Sequence, residues 1–106
     1  MINNQQILTQ LKKHLQKSYG DSIRDVVLFG SRVKGNSNEY SDYDILIILN
    51  TDYTGKDENK ILDLCYDIDL KYNILLDVHL LSIKELNSGR GKQPIYTKAL
   101  NTGLYA

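Results

Sequence analysis

The chain has 106 residues and a mass of 12.1 kDa, with 42% hydrophobic residues, which suffices for one compact core and is too short for a multidomain enzyme. Thirteen Lys and Arg balance thirteen Asp and Glu, so no global basic field points to nucleic acid or an anionic membrane, and any anion has to be held locally. A single cysteine, Cys65, and the lack of a Cys/His ligand set exclude an internal disulfide framework and a structural zinc site.

In chain order, Ile7, Leu8, Leu11 and Leu15 fall at helical spacing, with Asn3 or Asn4 placed to cap and Gly20 to terminate, which predicts an amphipathic helix. Ile23 to Phe29, rich in β-branched and aromatic residues and closed by Gly30, predicts a buried strand. Ser31 to Ser41, with Gly35 and the Asn36-Ser37-Asn38 run, reads as a surface loop. Asp42-Tyr43-Asp44 then opens into Ile45-Leu46-Ile47-Ile48-Leu49, apolar throughout, as a central strand covered on both faces would be.

Asn50 to Lys56 reads as a turn, and Ile61, Leu64, Cys65, Ile68 and Tyr72 form one stripe of a second helix. Leu75 to Leu81 predicts a third strand whose polar residues, Asp77 and His79, share a face. Ser82 is placed to cap a short turn through Glu85, and Ser88 to Gln93 reads as a mobile loop. Pro94 suits the start of a last helix through Leu100, with Gly103 as its terminator. The order of elements predicts an α/β (α+β) fold, a small mixed sheet flanked by helices, as one domain over residues 1–106.

Asp42 and Asp44 lie two apart at the start of a strand and so project from one face, and Asp77 reaches the same patch if its strand lies alongside. Like charges ~4 Å apart repel by about 4 kcal/mol per pair at an effective dielectric near 20, so such a patch calls for raised pKa values, a basic partner or a cation. Hard oxygen donors favour Mg²⁺ or Mn²⁺ over zinc. Upstream, at the junction of strand and loop, Gly30-Ser31 offers close backbone approach and hydrogen-bond donors to a phosphate, with Arg32 and Lys34 nearby. A metal-bridged polyphosphate facing a nucleophile is what phosphoryl or nucleotidyl transfer requires. The spacing from Gly30 to Gly35 matches a P-loop, but Asn36-Ser37 stands where Lys-Ser/Thr is needed, and a loop and a strand are expected where a helix should follow.

Gly30-Ser31, ten residues, then Asp42-x-Asp44 resembles the signature of the DNA polymerase beta superfamily of nucleotidyltransferases. Phe29-Gly30-Ser31-Arg32-Val33-Lys34-Gly35 followed by Ser41-Asp42-Tyr43-Asp44-Ile45 resembles the minimal nucleotidyltransferase (MNT) antitoxins in particular, and the likeness extends over most of the chain. The resemblance implies ATP as substrate with its phosphates on Gly30 and Ser31, two Mg²⁺ ions on Asp42 and Asp44, and Asp77 as third carboxylate beside the attacking hydroxyl. It also implies transfer of AMP to a tyrosine of a cognate HEPN ribonuclease toxin. Two alternatives stay open: an antitoxin that neutralises its partner by binding alone, and a small-molecule nucleotidyltransferase subunit that needs a second chain.

Other features have plainer readings. Cys65 lies on the apolar stripe of its helix and reads as core, His14 as a partly exposed structural residue, and His79 as a packed or hydrogen-bonded one. Leu62, Tyr66 and Leu70 form a second row on the same helix as Cys65, either widening the core or meeting a partner. The amino terminus lacks the features of a signal peptide, and the longest apolar run, Ile45 to Leu49, falls far short of the roughly 20 residues of a membrane helix. The expectation is a cytoplasmic protein with no membrane partner and no direct nucleic-acid binding, its oligomeric state open.

Overall fold

A computed structural model describes residues 3–34 and 42–106, without the Lys34 side chain. The loop features placed on Gly35, Asn36, Ser37, Asn38 and Ser41 lie outside the described residues.

Helix α1 (Asn4–Tyr19) starts where Asn3 forms a capping box with Gln6, both bonds 2.9 Å long, and ends at Gly20 with φ 52°. A 3₁₀ turn (Gly20–Ser22) leads into β1 (Ile23–Phe29), which bulges between Ile23 and Asp25 and is buried from Val26 onward. One helical turn, α2 (Ser31–Lys34), follows where a loop was expected, with the Val33 amide donating to Gly30 O at 3.2 Å. Strand β2 (Tyr43–Leu49) is central, and Ile45 to Leu49 are all at most 1% exposed, which explains its apolar sequence.

Helix α3 (Gly55–Tyr72) begins at a capping box between Thr54 and Asp57 and ends at Asn73 in the left-handed conformation. Strand β3 (Leu76–Ser82) runs into α4 (Ile83–Leu86), capped by Ser82 as the sequence suggests. The segment expected as a mobile loop is a set of turns tied to Glu85, whose backbone oxygen accepts from the Gly91 amide at 3.1 Å and whose carboxylate pairs with Arg90. Helix α5 (Pro94–Thr102) has Pro94 in its first turn and runs two residues past Leu100 before Gly103. Strand β4 (Leu104–Tyr105), with no signature in so short a stretch, pairs with Val27 and Leu28.

The sheet order is β3-β2-β1-β4, with β2 parallel to β3 and the β1 pairings antiparallel. One face carries the larger core, in which Leu8, Leu11 and Leu15 of α1 and Ile61, Cys65 and Ile68 of α3 meet Val26, Leu28, Ile45 and Ile47. On the other face, Val27, Phe29, Leu46, Ile48 and Leu81 pack against Tyr96 and Ala99 of α5. Each fully buried Leu or Ile contributes about 1.5–3 kcal/mol. The second face is covered only in part, and its uncovered end holds the polar start of β2.

Candidate active site

Parallel register places Asp44 directly opposite Asp77, and antiparallel register places it opposite Phe29, the residue before Gly30. Alternation along β2 and β3 puts Asp44, Asp77 and His79 on the α5 side of the sheet with Leu46 and Leu81. Burial raises the Asp44 pKa, and the charge of Asp77, hydrogen bonding to it and the charge of Asp42 push it the same way, while His79 opposes them. Asp42 is exposed, immediately before β2. The structure therefore brings Asp44 and Asp77 together, with Asp42 coupled to Asp44 by charge. Among the described residues no three His, Cys, Asp or Glu side chains are gathered into a ready-made metal cage.

Gly30 has φ 81°, a region that side chains rarely adopt, and a Cβ there would lie 3.2 Å from Asp44 Cγ and closer still to its Oδ2. The position thus needs glycine for both conformation and space, and the close approach sets the backbone entering α2 against the Asp44 carboxylate. Ser31 opens α2 directly beyond it. The Arg32 guanidinium carbon stands 4.2 Å from the ring centroid of Tyr43, which belongs to the core on the opposite face.

His79 Nε2 is 3.6 Å from Asp77 Oδ2, and its imidazole packs against Phe29 and Tyr96, with ring centroids 5.6 and 6.0 Å away. The packed role read for His79 holds. Sequence spacing by itself gives α5 no part in the site. A cavity of about 100 Å³ nevertheless opens beside Gly30, lined by Phe29, Ile95, Lys98, Ala99 and Thr102. The only signal for it was the spacing of Ile95, Lys98, Ala99 and Thr102 along one helical face. Two larger concavities of about 240 Å³ lie against α1, on the other side of the sheet and away from the carboxylates.

A carboxylate pair beside a backbone turn opened by glycine suits a hard cation and an anionic ligand held together. Residues 8–101 match the nucleotidyltransferase domain family. The "Putative protein adenylyltransferase MJ0141" of Methanocaldococcus jannaschii is 35% identical over 71 residues, 67% of this chain and 72% of the relative. From the same organism, "Putative protein adenylyltransferase MJ0604" is 30% identical over 72% of this chain and 71% of the relative. "Putative protein adenylyltransferase MJ1305" is 33% identical over 82% of this chain and 63% of the relative.

Proposed function

This chain belongs to the nucleotidyltransferase domain family, and from that premise we propose that it transfers AMP from ATP to a hydroxyl of another protein, a tyrosine of a HEPN ribonuclease toxin. The reaction class follows from the family, whose members move a nucleotidyl group from a nucleoside triphosphate with the help of divalent metal. A protein acceptor is supported by the names of the three archaeal relatives. The toxin tyrosine is supported by the likeness of the segments Phe29 to Gly35 and Ser41 to Ile45 to MNT antitoxins. The observation that carries the reading is the register pair Asp44 and Asp77 against Gly30.

The donor set fits a divalent cation such as Mg²⁺: its atoms are carboxylate oxygens, and Asp44 is partly desolvated beside like charge. Asp44 and Asp77 would hold it, with Asp42 joining from the exposed end of β2, and two such ions are the expected complement. When bound, the metal supplies positive charge that neutralises these carboxylates and the phosphate oxygens. The chain's own residues do the rest. Gly30 and Ser31 donate backbone and hydroxyl hydrogen bonds to the phosphates, and Arg32 adds bidentate donors by leaving the Tyr43 ring. Asp77 accepts the proton of the attacking hydroxyl. The hydroxyl oxygen bonds to the α-phosphorus as the bond from that phosphorus to the oxygen bridging the β-phosphate breaks; AMP stays on the acceptor and pyrophosphate leaves.

Incubating the chain with α-labelled ATP, Mg²⁺ and the purified toxin tests this. Label should appear on the toxin and fall by about 100-fold or more with Asp44→Asn. Unlabelled but tightly bound toxin, still neutralised by the Asp44→Asn chain, establishes instead a binding antitoxin. Label found only on a small hydroxyl compound when a second chain is present establishes the subunit alternative.

A further inference from the structure

Helix α3 turns Ile61, Cys65 and Ile68 into the core, yet Leu62, Tyr66 and Leu70 are 42%, 58% and 64% exposed. Their spacing of four aligns them along the outer surface of the helix, so they form a continuous ridge. Scattered exposed apolar side chains need no explanation, but three large ones in a row on one face mark a contact surface.

The border of this ridge is acidic. Glu58, Asp63, Asp67 and Asp69 flank it on the helical wheel, with Lys56 beyond its amino-terminal end. Lys60 stands 5.6 Å from the Tyr19 centroid and Lys71 5.4 Å from that of Tyr72, and Lys13, His14 and Lys17 of α1 share the wall of one concavity with Asp67 and Lys71, so the border free of basic neighbours in that concavity is that of Glu58, Asp63 and Asp69. Asp67 meets His14 at 2.9 Å, and Asp69 accepts from the Leu76 amide at 3.0 Å, which fixes both carboxylates at the margin of the row.

We propose that the α3 ridge docks an amphipathic helix of a partner protein, one whose apolar stripe is flanked by lysine and arginine. Apolar burial supplies the affinity, and the acidic border supplies the choice of partner. The ridge stands on the α1 and α3 side of the sheet, whereas Asp44 and Asp77 stand on the α5 side. A docked helix therefore leaves the carboxylates open, and holding the partner is separable from chemistry at the site.

Two synthetic helical peptides test the inference on the full chain. They share a leucine row at positions i, i+4 and i+8, one flanked by lysines and the other by glutamates, and binding is followed by calorimetry and amide chemical shifts. The lysine peptide should bind at least about tenfold more tightly, and the gap should shrink as salt rises. Shifts should centre on Leu62, Tyr66 and Leu70; Leu62→Ser or Leu70→Ser should abolish binding without lowering Tm, and Asp63→Lys should narrow the preference. Failure of the lysine peptide to bind, equal binding of both peptides, shifts centred elsewhere, or a dimer in sedimentation that Tyr66→Ser dissolves would each overturn the proposal.

Discussion

Asp44 is partly buried opposite Asp77, which sets a pH dependence whose sign can be worked out. Burial first, then Asp77, raises its pKa in the folded chain above the unfolded value. Folded protein therefore binds the proton more tightly, so stability is lost as pH rises through that window. Asp44→Asn should raise Tm by a few degrees at pH 7, and the advantage should vanish in calorimetric scans at pH values below the ordinary carboxylate range. Millimolar Mg²⁺ should raise the Tm of the wild-type chain and leave that of the variant nearly unchanged. A site that stabilises the fold when its acid is removed is one that trades stability for ligand binding. Gly30 is the other half of the trade, since its positive φ and bare Cα let the turn into α2 approach the same carboxylate.

Among the elements, α3 owes its start to the reciprocal bonds between Thr54 and Asp57, with the Thr54 amide donating to Asp57 Oδ2 at 3.0 Å. Thr54→Ala should cost about 1 kcal/mol in urea denaturation, with the m-value unchanged. This cap also explains why the helix includes Gly55 and Lys56, which composition alone assigns to a turn. Elements with a strong period or a clear punctuation residue were legible: Ile23 to Phe29 ending at Gly30, the Ile61 to Tyr72 stripe, and Pro94 with Gly103 around the last helix. Those that depend on tertiary context were not. Leu104 and Tyr105 become a strand only because β1 offers them an edge, and Ser31 to Lys34 coil into a turn in a stretch whose composition favours a loop. The same division holds at the site. Asp42, Asp44, Gly30 and Ser31 could be picked out by spacing, but the pairing of Asp77 with Asp44 depends on a parallel register that no local pattern encodes, and the stacking of Arg32 on Tyr43 was invisible.

For the molecule as a whole, the layer joining α1, α3 and the sheet holds the larger of the two cores. Cys65 lies within it at 2% exposure, and burial pushes its thiol up to about 12, so the native protein offers a disulfide reagent neither access nor thiolate. Its labelling rate should match global unfolding and rise with denaturant along the unfolding limb; labelling at the rate of a free thiol in native buffer would contradict the packing. Strand order has a consequence for handling as well. Strand β3 is a border of the sheet, and its far end is occupied where Tyr53 and Arg90 reach Leu80 O at 3.3 and 3.5 Å. The end near Asp77 relies on charge to repel strands of neighbouring molecules. Replacing Asp77 with an apolar residue would thus invite stacking into aggregates during concentration and storage, so a chain altered at that position is a poor choice for structural work compared with one altered at Asp44.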